Sequence, residues 1–295
     1  EEKGTYGCLT WPQNLNAVRS EVEIFKKIPK DLRADTPIAN AIYRNTQVYT
    51  NSLMLDMRQL PAEKPLFYRV RAYDLDGHPI GPYSQPADVE SALFKTERNA
   101  PIPHDSYGKG NGSVLLYPVY AYTGNPNAAR YEVEVTSKYP ENLHGFSPSV
   151  HRIYAAKTEL TDLYDDAPRT GTYYWRVRGM DSTGKPVGEW SLPQEIKNPV
   201  KHWKVAVYGD SISHGGGHLS FGPADLAYSY ESYLDFPSIN LSQSGDTSEA
   251  MVMRFEKDVL PFSPEYLLIL GGTNSLRAGV PAADVISDLK EIQRK

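Results

Sequence analysis

Apolar and polar side chains alternate with a period of two through much of the first two thirds of the chain. Residues 67–72 read Phe-Tyr-Arg-Val-Arg-Ala, and residues 174–178 read Tyr-Trp-Arg-Val-Arg. This alternation is typical of strands that place one face on a core and the other in water. The dipeptides Asp76-Gly77 and Thr183-Gly184 follow these segments and are typical of hairpin turns. The pattern therefore predicts antiparallel β-structure.

The alternating segments are two copies of one unit. Residues 67–84 and 174–191 align without a gap at an offset of 107 residues (174 − 67 = 107). A repeat of this length is too long for a solenoid and fits the duplication of a domain. We expect one β-sandwich at residues 1–98 and a second at residues 99–199. Shorter matches lie upstream: residues 9–12 with 115–118, and residues 21–24 with 132–135.

The last third has a different pattern, in which short apolar runs alternate with amphipathic stretches. The apolar runs at 205–208 and 266–270 have the length and composition of buried parallel strands, and the short stretch 238–242 between them is interpreted as a further strand. The stretches that follow them predict helices. Three strand–helix pairs predict a doubly wound α/β domain with a parallel sheet at residues 200–295.

Each of the three predicted helices has a start signal and an apolar face. Pro223 begins the first helix, and a capping box, Asp246-x-x-Glu249, begins the second, which extends to about Val259. Pro281 begins the third. The expected apolar faces are, in order, Ala227, Tyr230 and Leu234; Val252, Phe255 and Val259; and Val285, Ile286, Leu289 and Ile292.

A residue that could take part in catalysis follows the carboxyl end of each predicted strand. Ser211 follows the first strand, Gly245 the second and Asn274 the third. Because parallel strands end on one rim, we expect a hydroxyl, a backbone N–H and a side-chain amide to converge there. These groups suit acyl transfer, with Ser211 as the nucleophile and an oxyanion hole made by the N–H groups of Ser211 and Gly245 and the amide of Asn274. Asp210 is expected to shape the turn, although each block alone also suits an ordinary turn.

These blocks resemble the SGNH, or GDSL, hydrolases. The matching residues are Gly209-Asp210-Ser211, Gly245 and Gly272-Thr273-Asn274, whereas Ser275 stands where the family usually has Asp. The resemblance implies a serine esterase with Ser211, Gly245 and Asn274 as catalytic residues, and we expect no cofactor and no metal. The two upstream copies are similar to fibronectin type III domains, in which a Tyr-x-Val-x-Ala strand, a turn and a Gly-x-Tyr/Trp-Ser strand close the sheet.

The base that a serine nucleophile needs has no clear place in the sequence. The family takes its acid and base from an Asp-x-x-His block, and no such block occurs in the 295 residues. His214 and His218 are the local candidates, but the glycines around them favour solvated or substrate-contacting loop residues. A marginal strand at 266–270 would also leave an apolar edge unpaired. We therefore expect a C-terminally incomplete hydrolase domain, completed by a further segment, a separate C-terminal fragment or a partner.

Composition argues against several other functions. Apolar residues make up 40% of the chain, charged residues 23%, and the formal net charge is −5, as in an ordinary soluble protein. The sequence has no basic patch for nucleic acid and no apolar run as long as a membrane span. The single cysteine, Cys8, excludes an internal disulfide and a cysteine-rich metal site. A nucleotide site has no support, since there is no Gly-x-Gly-x-x-Gly or Walker sequence.

The substrate stays open at the level of sequence. Sandwich modules joined to such a hydrolase suggest, by analogy, an extracellular or cell-surface bacterial esterase that removes acetyl groups from polysaccharide. Lipid and thioester substrates are alternatives. The first residues are not a signal peptide, so we expect either a cytoplasmic chain or one from which a leader was removed. The competing class is a non-catalytic glycan-binding or surface-display protein with a degenerate hydrolase domain. The sandwich modules are expected to be spacers rather than ligand-binding domains.

Overall fold

The computed structural model describes most of the chain. The described residues are 6–12, 14, 16–48, 52–89, 93–94, 100–103, 114–125, 127–143, 145–214 and 238–295. The predicted helix that begins at Pro223, with Ala227, Tyr230 and Leu234, lies outside them, as does His218. None of the described helices is long and apolar enough to cross a membrane.

The first β-module, residues 6–94, contains two antiparallel sheets. Its strands are β1 (Tyr6–Thr10), β2 (Arg19–Phe25), β3 (Tyr43–Val48), β4 (Ser52–Asp56), β5 (Phe67–Tyr73), β6 (Pro79–Ile80), β7 (Ala87–Asp88) and β8 (Leu93–Phe94), with a 3₁₀ turn at Met57–Gln59. One sheet has the order β4-β1-β8, and the other has the order β3-β2-β5-β6 with β7 also on β5. Leu9 and Leu55 of the first sheet share a core with Val22 and Ile24 of the second.

The second β-module, residues 100–198, repeats this plan. Its strands are β9 (Ile102–Pro103), β10 (Val114–Leu115), β11 (Val119–Thr123), β12 (Arg130–Thr136), β13 (Arg152–Thr158), β14 (Asp162–Tyr164), β15 (Gly171–Met180), β16 (Pro186–Val187) and β17 (Gln194–Asn198). The sheets have the orders β14-β11-β9 and β13-β12-β15-β16, with β17 also on β15. Tyr120, Val133 and Trp175 lie in their common core.

The sequence repeat corresponds to the same strand pairing in both modules. Val22 on β2 lies opposite Val70 on β5, and Val133 on β12 lies opposite Val177 on β15. Apolar residues at the matched positions of both copies therefore build matched parts of two cores.

Each module also has a buried ion pair on these strands. Glu23 lies 2.8 Å from Arg69, and Glu134 lies 2.5 Å from Arg176, with all four side chains at most 1% exposed. Glu134 also pairs with Arg152 on β13 at 2.6 Å. Buried charges are stable only when they are fully paired, so the matched Glu and Arg positions of the repeat have a structural role.

The α/β unit comprises residues 205–295. Its elements are β18 (Val205–Gly209), α1 (Ser211–His214), β19 (Ile239–Asn240), α2 (Ser248–Asp258), β20 (Tyr266–Leu270), α3 (Thr273–Arg277) and α4 (Ala282–Arg294), with a 3₁₀ turn at Leu260–Phe262. β18 pairs in parallel with β19 on one side and with β20 on the other. The three strands and the two later helices lie where the sequence predicts them.

Two details of these helices differ from the prediction. Helix α2 is capped by Thr247, whose side chain accepts the Ala250 N–H at 3.2 Å, so the capping box predicted at Asp246 is wrong. Asp246 faces a buried arginine instead. In α4, Val285 and Ile292 are buried; they lie two turns apart on the same face of the helix. Ile286 is 51% exposed because it lies off that face.

A fourth strand of the parallel sheet comes from the second β-module. β10 pairs in parallel with β19, with residues 114–115 opposite 239–240, so the sheet has the order β10-β19-β18-β20. Leu116 and Tyr117 then pack in the same core as the buried face of α2. The second β-module and the α/β unit therefore share one apolar core.

The pairing of β10 with β19 shows that the matching residues 9–12 and 115–118 do not occupy equivalent places in the two modules. Leu9 lies in β1, which pairs with β4 inside the first module. Leu115 lies in β10, which pairs with the α/β unit. Residues 9–12 and 115–118 are therefore similar in sequence but differ in their pairing partners.

The opposite end of the parallel sheet is apolar and exposed. Among the described strands β20 has β18 as its neighbour and is the last of the sheet order. Tyr266, Leu268 and Leu270 are 56%, 40% and 45% exposed. This is the apolar edge expected from the sequence.

Loss of the buried carboxylate in the second β-module should be strongly destabilising. Glu134→Gln removes the charge that faces Arg176 and Arg152, and an uncompensated buried charge typically costs about 3–5 kcal/mol. We expect the free energy of unfolding of this module to fall by that amount in urea denaturation followed by tryptophan emission.

The matched control for this change is Glu195→Gln. Glu195 pairs with Lys197 at the surface, and exposed pairs contribute little to stability. Equal effects of the two substitutions would contradict a structural role for the buried pair.

Candidate active site

The turn after β18 is fixed by a close approach to the neighbouring strand. A Cβ at Gly209 would lie 2.1 Å from the carbonyl oxygen of Leu270 on β20. Any larger residue would push the two strands apart at their carboxyl ends. The glycine is therefore needed for backbone proximity, and Ser211 begins α1 directly above this contact.

Asp210 shapes the turn, as expected from the sequence. Its Oδ1 accepts the Ile212 N–H at 3.0 Å, and its backbone carbonyl accepts the His214 N–H at 2.9 Å. The side chain is 1% exposed, and Oδ2 has no hydrogen-bond partner among the described residues. Burial raises the pKa of the Asp210 carboxyl above its ordinary value, although the Ile212 N–H opposes this effect.

The two serines of this turn have different environments. Ser211 is partly exposed, whereas Ser213 is fully buried and its Oγ donates to the Leu270 carbonyl at 3.5 Å. A reactive nucleophile must be reachable by substrate, so the difference in exposure favours Ser211.

Gly245 lies in an exposed loop whose start is tied to the serine turn. Gln243 N–H donates to the Gly209 carbonyl at 3.1 Å. Gly245 has φ +93°, a left-handed conformation that strains other residues. The next residue, Asp246, is buried, and its carboxylate lies 2.5 Å from Arg254. The loop is therefore held on both sides of Gly245.

Asn274 meets this loop directly. Its Nδ2 donates to the backbone carbonyl of Asp246 at 2.8 Å, and the side chain is partly exposed. An amide nitrogen carries two N–H groups, so one is left for a ligand. The structure thus brings the predicted Gly and Asn blocks together at the carboxyl ends of the strands that flank β18.

Arg254 on α2 connects the parts of this rim, and sequence reasoning missed it. The guanidinium bonds Asp246 at 2.5 Å and Asp258 at 3.2 Å. It also donates to the backbone carbonyls of Leu241 at 2.6 Å and Gly209 at 3.3 Å. One side chain therefore holds the serine turn and the Gly245 loop in a fixed relation.

The electrostatics around Arg254 keep it charged. Burial lowers the pKa of Arg254, but the neighbouring Tyr208 and Asp246 together raise it above its ordinary value. The guanidinium also lies 4.3 Å from the centre of the Tyr208 ring. The only signal in the sequence was the i,i+4 spacing of Arg254 and Asp258 on one helix face, which usually indicates a surface pair.

Ser275, the departure from the family pattern, has a structural role. It is buried, and its Oγ accepts the Ser248 N–H at 2.9 Å at the start of α2. Ser248 Oγ in turn donates to Asp288 on α4 at 2.6 Å. Asp288 on α4 therefore supplies a carboxylate at the start of α2, beside Ser275.

His214 is not the solvated or substrate-contacting loop residue expected from its glycine-rich surroundings. The α1 turn carries it inward, where it is 1% exposed. One ring nitrogen lies 2.8 Å from the Tyr117 carbonyl and the other 3.1 Å from Ser244 Oγ. The imidazole and the Tyr164 ring are nearly perpendicular, with centroids 5.1 Å apart.

One group of side chains in the described part of the chain has ligand atoms close enough for a cation. Asp74, Asp76 and His78 lie on the β5–β6 turn, with those atoms within 4.8 Å of one another. Asp74 already accepts the His78 N–H at 2.8 Å, which is an ordinary turn contact. The group has no part in the rim of the parallel sheet.

Residues 207–295 match the family described as GDSL-like Lipase/Acylhydrolase. No curated protein matches this chain. Similar solved structures include the FN1–FN3 domains of chicken CNTN1 (12% identity, TM-score 0.23, 61% of this chain and 56% of that chain). A second is YXIM of Bacillus subtilis (14% identity, TM-score 0.26, 66% of this chain and 60% of that chain). A third is the fibronectin(III)-like modules of Clostridium thermocellum CbhA (14% identity, TM-score 0.20, 64% of this chain and 83% of that chain). TM-scores of this size do not establish a shared fold.

The buried carboxyl of Asp210 should make stability depend on pH. Its pKa in the folded protein lies above the ordinary value of 3.8. The folded state therefore binds the proton more tightly than the unfolded chain. The stabilisation that protonated Asp210 gives the folded state is fully present below the ordinary pKa and is lost as the pH rises through the raised pKa. Asp210→Asn keeps the Oδ1 acceptor and removes the charge, so it should raise the melting temperature at about pH 7 and not at about pH 3.

Asp181→Asn is the control of opposite sign. A hydrogen bond from Thr183 lowers the pKa of Asp181, so this variant should lose stability at neutral pH and approach the wild type in acid. Melting curves at several pH values test both variants. A gain for Asp210→Asn that persists in acid would show that its charge is not the cause.

Proposed function

We propose that the α/β unit is a serine ester hydrolase. Ser211 is the nucleophile, and the oxyanion hole consists of the N–H groups of Ser211 and Gly245 and the amide of Asn274. The main support is the 2.8 Å hydrogen bond from Asn274 to the Asp246 carbonyl, which places that amide beside the Gly245 loop. The match of residues 207–295 to a GDSL-like acylhydrolase family supports the same class of reaction.

The proposed reaction is a two-step acyl transfer. Ser211 Oγ bonds to the acyl carbon and gives its proton to a general base, while the carbonyl electrons move to oxygen. The oxyanion then collapses, the ester C–O bond breaks, and the leaving alkoxide takes the proton from the base. Water releases the acyl group by the same route. The ring nitrogens of His214 already contact Tyr117 and Ser244, so His214 is not the base that we propose for Ser211.

The substrate that we propose is an acetyl ester on a carbohydrate, handled outside a bacterial cell. Its support is two exposed aromatic side chains of the second β-module, which would then contact substrate rather than belong only to a spacer. Tyr139 and Phe146 are 51% and 54% exposed, and Tyr139 meets Tyr174 edge to face at 5.4 Å. Aromatic faces of this kind stack on sugar rings.

A non-catalytic glycan-binding protein is the second candidate. The observation in its favour is the engagement of His214 with partners other than Ser211. Under this alternative the exposed aromatic side chains bind sugar and the hydroxyl of Ser211 is not activated.

Covalent labelling separates the two candidates. A fluorophosphonate should modify the full-length protein at Ser211, because an activated serine attacks phosphorus as it attacks an acyl carbon. Peptide mass spectrometry locates the adduct. Ser211→Ala should abolish labelling, and the buried Ser213→Ala should retain it. A full-length protein that stays unlabelled supports the non-catalytic alternative.

Asn274 should contribute to the transition state and little to substrate binding. Removal of one oxyanion donor typically costs about 2.7–4 kcal/mol of barrier, or about 10²–10³ in kcat. We expect Asn274→Ala to show this loss in p-nitrophenyl acetate hydrolysis with KM nearly unchanged. Thr273→Ala is the matched control, since Thr273 is the exposed neighbour on the same helical turn. An unaltered kcat in Asn274→Ala would show that Asn274 has only a structural role in the turn.

A further inference from the structure

His214 links two parts of the molecule that are distant in sequence. One ring nitrogen contacts the backbone carbonyl of Tyr117 in the second β-module, and the other contacts Ser244 in the α/β unit. Ser244 directly precedes Gly245. We infer that His214 is a positioning residue that ties the backbone of the second β-module to the Gly245 loop. This inference rests on the proposed function, because it gives that loop an oxyanion-binding role.

The acceptors fix the tautomer of the imidazole. The carbonyl of Tyr117 only accepts hydrogen bonds, so Nε2 of His214 must carry the proton that bonds it. In the neutral ring Nδ1 is then an acceptor, and it receives the hydroxyl proton of Ser244. The two bonds are therefore compatible in one neutral state: Ser244 donates to the ring and the ring donates to Tyr117.

The Tyr117 end of this link is rigid. Tyr117 directly follows the β10–β19 pairing, in which Leu116 N–H donates to the Asn240 carbonyl at 2.8 Å. Its side-chain hydroxyl donates to Asp258 at 2.5 Å. The Tyr164 ring of β14 packs on the imidazole in a perpendicular arrangement, with centroids 5.1 Å apart. The second β-module thus supplies an anchored acceptor and an aromatic wall around His214.

The Ser244 end is the part that needs an anchor. Gly245 is exposed and has the wide conformational freedom of a glycine. An oxyanion donor must be held in place before the reaction to be effective. Asp246 holds the loop on the far side of Gly245 through Arg254, and Ser244 holds it on the near side through His214. The second β-module is therefore part of the support for the oxyanion hole.

Two substitutions each keep one half of the link. His214→Asn keeps an acceptor near Nδ1 for Ser244 and does not reach Tyr117. His214→Gln keeps a donor near Nε2 for Tyr117 and loses the acceptor for Ser244. If the whole link matters, both variants and Ser244→Ala should lower kcat about tenfold or more with KM nearly unchanged. The double variant of His214→Gln and Ser244→Ala should be no worse than either single one, because both break the same connection.

Ser242→Ala is the matched control. Ser242 lies in the same segment, is fully buried, and its Oγ has no hydrogen-bond partner among the described residues. It should keep wild-type kcat. A His214→Asn variant with wild-type kcat would overturn the inference, since the bond to Tyr117 would then be dispensable. Fluorophosphonate labelling at Ser244 would also overturn it, since His214 would then act as a base for that serine.

Two readouts do not need turnover. Nitrogen NMR of the full-length protein should show neutral His214 protonated on Nε2, and protonation on Nδ1 would contradict the geometry. Hydrogen exchange of residues 243–247 should accelerate in the His214 variants and Ser244→Ala and stay unchanged in Ser242→Ala. If these results hold but the wild type has no Ser211-dependent turnover, the proposed function fails and the link stands. If turnover is present and exchange is unaffected by the variants, the link fails and the function stands.

Discussion

The buried guanidinium of Arg254 is the interaction on which the candidate site depends. A charge in a protein interior is tolerated only when opposite charges and acceptors surround it, and here Asp246, Asp258 and two backbone carbonyls do so. The planar fork of arginine fixes the directions of these bonds. The serine turn and the Gly245 loop therefore cannot shift independently, and Asn274 reaches that loop through the Asp246 carbonyl.

Much of the local structure was readable because it follows from periodicity. The alternation around Val70 and Val177 predicted paired strands, and both residues lie in the matched register of their modules. The rule that parallel strands end on one rim predicts that the Gly245 and Asn274 blocks lie close together, and Asn274 donates a hydrogen bond to the backbone of Asp246, the residue after Gly245.

Other features were not readable, because distant contacts decide them. Asp246 has the spacing of a capping residue, but the buried Arg254 takes its carboxylate and Thr247 caps the helix instead. His214 sits among glycines that suggested a loop, yet one helical turn directs it into the core. A two-residue strand such as β10 has no periodicity, so its pairing with β19 leaves no trace in the local pattern.

The shared strand also has a consequence for the order in which the chain folds. Val114 and Ile239 are 125 residues apart (239 − 114 = 125), yet they are direct neighbours in the parallel sheet. Such distant pairings form slowly because a long loop must close first. The second β-module is synthesised earlier and is rich in contacts of its own, so it can be in place when the α/β unit emerges. Val114 packs in the core of the second β-module, so the folded module holds residues 114–115 in the position where β19 pairs with them.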